Sequence, residues 1–170
     1  KALIYAKKKG KHFEVYNTET RPLFQGRKTA KELKKAGIKI TMFVDSAAQI
    51  ALTKEQDKEE KTKPANIIFL GADAITKKGI INKVGSGMFA EIARDNNIPA
   101  YIIRYSLKFT NKPIKIEQRS SKEVWKTRNK INIKNPSFEL VRKQDITGIV
   151  SELGILSYNQ FLKKVRIKIK

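Results

Sequence analysis

The chain has 170 residues, a length that corresponds to one domain, and 40% of them are apolar, which is enough for a folded core. It has no cysteine and only one histidine, His12, so disulfides and thiolate chemistry are excluded and a Ser-His-Asp triad or multi-histidine metal site is disfavoured. The net charge of +21 fits either a solvated lysine-rich surface or a surface that binds a polyanion.

The first part of the sequence alternates predicted helices and strands. Residues 2–6, followed by three lysines and Gly10, are typical of the last turns of a helix, so we expect further residues before Lys1. We assign no function to the polar segment 53–63, which we expect to be a solvated loop or an exposed helical extension. The other elements predicted here are a strand at 12–16, a helix at 26–36, a strand at 38–44 and a short helix at 46–52.

The second part begins with continuous apolar runs. Those at 66–70 and 99–103 predict strands buried on both faces, with a helix at 88–96 between them. Four alternations of strand and helix favour an α/β fold with a parallel sheet, flanking helices and right-handed crossovers. After Phe109 the pattern is weaker, and it predicts short strands at 114–117 and 131–134, a helix at 144–153 and a basic tail to Lys170.

Asp73 is the sharpest candidate for chemistry. Ligands of open parallel sheets bind beyond the carboxyl ends of the strands, and Asp73 follows an apolar strand that we expect to carry it into a partly dehydrated cleft. A carboxylate placed there suits a general acid or base. The alternative is an aspartate that closes a tight turn.

The segment Asn82–Gly87 is rich in glycine and precedes a predicted helix. Glycines allow close approach of the backbone, and a helix N-terminus offers free amides to an anion such as phosphate, with Lys83 adding charge and Ser86 a hydroxyl. Only one G-x-G occurs, so this is not a dinucleotide fingerprint. The alternative is glycine required for close packing of a helix on a sheet.

Arg21 and Gln25 follow the first strand, where Pro22 stiffens the turn. Arginine is suited to planar contacts with an anion, which makes Arg21 a candidate binding residue. The alternative is a structural ion pair of Arg21, for example with Glu19. Arg104 and Lys108 follow the last apolar strand at the same predicted edge of the sheet.

Several short motifs occur in an order and at a spacing that resemble one protein family. In chain order they are Thr18-Glu19-Thr20-Arg21-Pro22, Gln25-Gly26, Val44-Asp45-Ser46-Ala47, Gly71-Ala72-Asp73, Asn82-Lys83-Val84-Gly85, Asn135-Pro136-Ser137-Phe138-Glu139 and Ser151-Glu152-Leu153-Gly154. The family joins the alpha, beta and delta-type subunits of translation initiation factor 2B with isomerases of methylthioribose 1-phosphate and ribose 1,5-bisphosphate. The resemblance covers about residues 1–156, and archaeal members look most similar.

The resemblance implies a Rossmann-like C-terminal domain, usually paired with an N-terminal helical domain, in a cytoplasmic homodimer or larger assembly. For the isomerases it implies that Asp73 is the catalytic acid or base, that Gln25, Asn82 and Lys83 hold the substrate, and that Lys108 lies near the site. The reaction so implied moves hydrogen between C1 and C2 of an opened aldose phosphate and gives a ketose. It requires no metal or organic cofactor.

The sequence departs from the family pattern at three places. The isomerases carry a catalytic cysteine before the strand that ends at Thr18-Glu19-Thr20, and this sequence has none. The usual E-T-Y-K-F stretch appears as residues 105–109 without its acid, and the usual D-V-T-P appears as residues 139–142.

The sequence leaves three hypotheses for the function. The first is a domain of a ribose 1,5-bisphosphate-type isomerase, and the second is a non-catalytic factor 2B-type subunit that binds initiation factor 2 subunits or a nucleotide-like ligand. The third is a nucleic-acid binder, which is based on charge alone.

Overall fold

The computed structural model describes residues 1–53 and 63–169. Most of the polar segment to which the sequence assigns no function therefore lies outside the described residues. The helices are α1 (Ala2–Lys8), α2 (Gln25–Lys35), α3 (Ala48–Leu52), α4 (Ser86–Asp95) and α5 (Tyr158–Ile169). The strands are β1 (Glu14–Thr18), β2 (Lys39–Phe43), β3 (Ile68–Leu70), β4 (Ala74–Ile75), β5 (Gly79–Lys83), β6 (Ala100–Ile103), β7 (Phe138–Arg142), β8 (Gly148–Ser151) and β9 (Gly154–Leu156).

The parallel strands form two separate pieces. In the smaller piece β1 pairs with β2, with Glu14 opposite Lys39. In the larger piece the order is β3-β6-β8-β9, and only β9 at its edge runs antiparallel. Because β1→β2 and β3→β6→β8 progress through helix-containing or loop crossovers, the predicted α/β fold with a Rossmann-like parallel sheet and flanking helices is confirmed.

A third sheet, β4-β5-β7, is antiparallel and stands apart from the parallel strands. It begins where the chain leaves β3, since the amide of Asp73 donates a hydrogen bond to the carbonyl of Ile81 at 2.8 Å. Gly79 opens β5 because a side chain there would overlap the carbonyl oxygen of Val141 on the neighbouring strand. This sheet was not predicted from the sequence, because its strands are short and β7, the partner of β5, comes more than fifty residues later in the chain.

The core lies on one face of the larger parallel piece. Ile102 and Ile149 of its central strands are fully buried against Ile75, Ile80 and the helices. The opposite face is partly open, and Phe69 of β3 is 44% exposed. The prediction that the strands at 66–70 and 99–103 are buried on both faces is therefore wrong: only the side chains that face the core, such as Ile102, are covered.

The C-terminal segment, predicted as a basic tail, is the helix α5. Tyr158, Phe161 and Val165 recur at helical spacing and are buried in the core, while the intervening lysines face outward. The prediction of a basic tail is therefore wrong, because it was based on the charge of this segment and did not take into account the helical spacing of its apolar residues.

The predicted helix at 144–153 is also wrong. Its residues form a short 3-10 turn, then β8 and the turn of the β8–β9 hairpin at Glu152-Leu153, after which Gly154 opens β9 with a φ of +106°. Ile149 and Val150 are β-branched and favour the strand. Gly148 is required there because a Cβ would lie 2.8 Å from the carbonyl oxygen of Leu156.

The predicted short strands at 114–117 and 131–134 do not form. These segments belong to a long connection between β6 and β7 that contains two short 3-10 turns and two isolated bridges, of which Gln118 with Pro136 lies beside these segments. Alternating isoleucine and lysine indicated strands here, but neither segment forms a ladder with another strand of residues 1–53 and 63–169.

Candidate functional site

A cavity of about 290 Å³ lies at the carboxyl ends of β1 and β3, between the two parallel pieces. Its wall combines residues from the turn after β1, the end of β3, the end of β5 and the long β6–β7 connection. The lining residues are Thr20, Leu23, Gln25, Asp73, Lys83, Glu117, Arg119, Ser137 and Phe138. Three of the six predicted site residues, Gln25, Asp73 and Lys83, thus meet in one cavity, as expected for the carboxyl edge of a parallel sheet.

The turn that carries Gln25 is fixed by the next strand of its own piece. Asp45, two residues after the end of β2, accepts hydrogen bonds from the amide of Thr20 at 2.8 Å and the amide of Arg21 at 2.6 Å. Thr20 adopts a φ of +60°, an unfavourable conformation for a β-branched residue, so these two hydrogen bonds hold the backbone in a strained shape. They place Gln25 at the start of α2, on the cavity wall.

Gly26 lets α2 begin directly against the end of β1. A Cβ at this position would overlap the carbonyl oxygen of Thr18. The amide of Gly26 donates to the carbonyl of Glu19 at 3.1 Å, and its own carbonyl accepts from the side chain of Asn17 at 2.9 Å. The Gln25-Gly26 pair is thus a structural requirement as well as a part of the cavity.

Asp73 lies on the cavity wall two residues beyond Gly71, and its backbone is tied to β5. Its side chain is exposed, so the prediction that the apolar strand carries it into a partly dehydrated cleft is wrong for this structure. The apolar strand before Asp73 does not exclude water from this end of the sheet, because Phe69 and Gly71 are themselves exposed.

The glycine-rich segment before α4 is built differently from the predicted phosphate cradle. The carboxylate of Glu139 accepts a hydrogen bond from the amide of Gly87 at 2.7 Å and so occupies the first turn of the helix. Asn82 donates from its side chain to the hydroxyl of Ser86 at 2.8 Å, and Ser86 donates to the carbonyl of Lys83 at 2.6 Å. The expectation that this helix N-terminus offers free amides to a ligand is therefore wrong for Gly87.

Asn82 nevertheless lies near the cavity. Its side-chain oxygen would lie 3.6 Å from a Cβ placed on Gly71, which puts it beside the end of β3. Its amide group orders Ser86 and the residues around Lys83. Lys83 itself lines the cavity as the last residue of β5.

The structure does not bring the other two predicted residues onto the cavity wall. Arg21 stacks over the ring of Phe24 at 5.0 Å and donates to the carbonyl of Val124 at 3.3 Å. Its proposed pairing with Glu19 is wrong, because Glu19 binds Arg27 at 2.7 Å. Lys108 ends a 3-10 turn after β6, with its side chain exposed to solvent.

The far wall of the cavity is an arm formed by residues 117–138 of the β6–β7 connection and the start of β7. The amide of Arg119 donates to the carbonyl of Asn135 at 2.9 Å, and the amide of Ser137 donates to the carbonyl of Glu117 at 2.9 Å. Asn135, which is buried, also donates to the carboxylate of Glu123 at 3.1 Å. These contacts give the arm a fixed backbone without regular secondary structure.

Arg119 forms ion pairs with two acidic side chains of the arm. The guanidinium of Arg119 donates to both carboxylate oxygens of Glu123, at distances down to 2.6 Å, and lies 3.8 Å from the carboxylate of Glu117. The hydrogen bond from Arg119, with help from Asn135 and the positive charge of Lys83, lowers the pKa of Glu123 below its usual range. The same hydrogen bond raises the pKa of Arg119, so this pair stays ionised at neutral pH.

Sequence reasoning missed Leu23 and the arm residues Glu117 and Arg119, which come from segments without a recognisable period. The motif at 135–139 was the available signal for Ser137 and Phe138, although no site role was assigned to either. Among the described residues, no group of three or more His, Cys, Asp or Glu side chains is placed to hold a metal ion. No helix in that part of the chain is long and apolar enough to cross a membrane.

The chain belongs to the initiation factor 2 subunit family, which matches residues 1–158. It is similar to several curated isomerases. It is 36% identical over 156 residues to the ribose 1,5-bisphosphate isomerase of Methanocaldococcus jannaschii, covering 86% of this chain and 47% of that protein. It is 35% identical over 176 residues to the methylthioribose-1-phosphate isomerase of Fervidobacterium nodosum, covering 94% of this chain and 48% of that protein.

Solved structures show the same fold. The chain superposes on the translation initiation factor eIF-2B subunit delta from A. fulgidus with a TM-score of 0.83 at 26% identity, covering 96% of this chain and 50% of that one. It superposes on 5-methylthioribose 1-phosphate isomerase from Pyrococcus horikoshii OT3 with a TM-score of 0.84 at 25% identity, covering 99% and 49%. The chain thus spans about half the length of the relatives it matches.

Proposed function

We propose that this chain is the substrate-binding and catalytic domain of a cytoplasmic sugar-phosphate aldose–ketose isomerase of the ribose 1,5-bisphosphate type. The proposal is based on the observation that Gln25, Asp73 and Lys83 line the same cavity. Gln25 follows β1, Asp73 follows β3 and Lys83 ends β5. The three residues therefore come from three separate sheets, and their convergence is a property of the fold and not of adjacency in sequence. The isomerases among the relatives support this class of reaction.

In this proposal each residue of the cavity has a different role in binding or catalysis. Lys83 attracts the phosphate by its charge, and the side-chain amide of Gln25 hydrogen-bonds to an oxygen of the sugar. Asn82 keeps the backbone around Lys83 in place through Ser86. Asp73, whose carboxylate is open to the cavity, transfers a proton to or from the opened sugar while hydrogen moves between C2 and C1.

Arg21 and Lys108 have weaker support as substrate-binding residues, because neither lines the cavity. Arg21 acts on the site through the turn 20–25, which it helps to hold by stacking over Phe24. Lys108 follows β6 at the same edge of the larger piece, and its exposed side chain is free to extend towards a bound phosphate.

The test is Asp73→Asn in the complete gene product, because the curated relatives are about twice the length of this chain. We expect the variant to lose at least about 100-fold in kcat for ribose 1,5-bisphosphate, as is usual when a general acid or base is removed. Its affinity for the sugar phosphate should change little, since the amide has the same size. Unchanged turnover in Asp73→Asn would overturn the proposal, and Asp95→Asn, on the exposed end of α4, is the matched control.

A second candidate is a non-catalytic subunit that binds initiation factor 2 subunits or a nucleotide-like ligand, in a homodimer or larger assembly. Glu139 favours it, because its carboxylate occupies an amide at the start of α4 where a phosphate would otherwise be attracted. The similarity to eIF-2B subunit delta agrees with this role. Co-purification of initiation factor 2 subunits, without isomerase activity in the wild-type protein, would decide for it.

A further inference from the structure

We infer that the arm wall of the cavity recognises hydroxyl groups of the sugar, with Glu117 as the principal hydrogen-bond acceptor and Ser137 as a second contact. This inference rests on the proposed function, since it names what a sugar phosphate meets opposite Lys83. It adds two specificity-determining residues to those that bind the phosphate and carry the proton.

The first observation is that the backbone of Glu117 is fixed while its carboxylate is available to a ligand. The backbone carbonyl of Glu117 accepts a hydrogen bond from the amide of Ser137, which anchors the residue in the arm. Its side chain is 59% exposed, lines the cavity, and makes no hydrogen bond within residues 1–53 and 63–169. Arg119 stands 3.8 Å away and directs its side-chain hydrogen bonds to Glu123. The carboxylate of Glu117 can therefore accept hydrogen bonds from two neighbouring hydroxyls of a ligand.

The second observation is the side chain of Ser137. It is 2% exposed, it belongs to the cavity wall, and its hydroxyl has no hydrogen-bond partner among the described residues. Both of its backbone groups are satisfied, by Glu117 and by the amide of Val84 at 3.2 Å. A buried hydroxyl without a partner is unfavourable, and rotation about χ1 towards a sugar oxygen would relieve that cost.

The charges of the lining residues decide which part of the ligand faces the arm. Arg119 is neutralised by Glu123, so the remaining charged lining residues are Lys83 on one side and Asp73 and Glu117 on the other. A phosphate is therefore attracted to Lys83 and repelled by Glu117. The uncharged, hydroxyl-bearing carbons of the sugar are the part of the ligand that suits the arm. We therefore expect the cavity to prefer a sugar phosphate with free hydroxyls over a deoxy sugar phosphate that lacks the hydroxyl facing the arm.

The experiment measures equilibrium binding of ribitol phosphates, which cannot isomerise, to the complete protein by calorimetry. The series removes the 2-, 3- or 4-hydroxyl in turn. For wild type we expect removal of the hydroxyl that meets Glu117 to weaken binding about tenfold to a hundredfold. In Glu117→Gln the intact ligand should bind correspondingly more weakly, and removal of that same hydroxyl should then change its affinity less than threefold.

Ser137→Ala provides the second variant. Because the hydroxyl has no partner in the protein, the variant should be at least as stable as wild type while it binds the intact polyol several-fold more weakly. Glu14→Gln, on the exposed end of β1, is the matched control and should change neither affinity nor its dependence on hydroxyls. If removal of each hydroxyl changed the affinity of wild type and of Glu117→Gln by the same factor, the inference would be overturned and the isomerase proposal would stay intact. Absence of both binding and turnover in wild type would overturn both.

Discussion

The carboxylate of Asp45 lies 2.8 Å from the amide of Thr20, so a residue two positions beyond the end of β2 holds the turn that follows β1. The same carboxylate also binds the amide of Arg21. One side chain therefore stabilises a backbone in which Thr20 has a positive φ, and it does so one strand away from the cavity that the turn lines.

Replacing Asp45 by alanine should loosen that turn. Loss of hydrogen bonds to a charged acceptor should lower the free energy of unfolding by about 2 kcal/mol, and the affinity for sugar phosphate should fall because Gln25 is no longer held in place. Denaturant unfolding and ligand titration measure the two effects. Asp95→Ala, which removes an exposed carboxylate bound to Arg94, should change neither by a comparable amount.

Gly26 should tolerate no side chain. In Gly26→Ala the new Cβ would overlap the carbonyl oxygen of Thr18, and α2 would have to move away from β1. We expect a loss of at least about 2 kcal/mol in the free energy of unfolding. Gly71→Ala is the control, because its Cβ would meet only the side chain of Asn82 at 3.6 Å. Similar stabilities of the two variants would contradict the required close approach.

Lys83 and Lys108 should differ when each is changed to alanine. Only Lys83 lines the cavity, so Lys83→Ala should weaken sugar-phosphate binding about tenfold or more and reduce the dependence of affinity on salt. Lys108→Ala should weaken binding less than Lys83→Ala. Calorimetric titration at two salt concentrations tests both variants, and equal losses would place Lys108 in the site beside Lys83.

Tyr158 should make stability fall in alkaline solution. Its hydroxyl donates to the carbonyl of Thr76 at 2.9 Å, and burial raises its pKa above the ordinary value near 10. The unfolded chain releases this proton first, so the contribution of Tyr158 is complete below about pH 10 and is lost as the pH rises towards the folded pKa. Tyr158→Phe should cost about 1 kcal/mol at neutral pH. The difference in unfolding free energy between wild type and variant should shrink above pH 10.

The sequence predicted the structure well where the local pattern of apolar residues and the tertiary packing favour the same element. The β-prone runs at 12–16 and 66–70, and the glycines before α4, indicated the fold and led to Gln25, Asp73 and Lys83 of the cavity. It was a poor guide after Phe109. The hairpin β8–β9 and the antiparallel strand β7 depend on partners far along the chain, and a window of ten residues carries no sign of them. The arm residues Glu117 and Arg119 are fixed by contacts with Asn135 and Ser137, which no spacing rule reveals.

The two-piece parallel sheet also has a consequence for the motions of the molecule. Within the described residues no ladder of hydrogen bonds joins β1 to β3, so the β1–β2 piece can open by itself while the core around Ile102 and Ile149 stays closed. Amide protons of β1 and β2 should then exchange with solvent sooner than those of β6. Since Gln25 belongs to one piece and Asp73 to the other, a ligand that bridges them slows that exchange, and its affinity becomes a measure of how firmly the two pieces are held together.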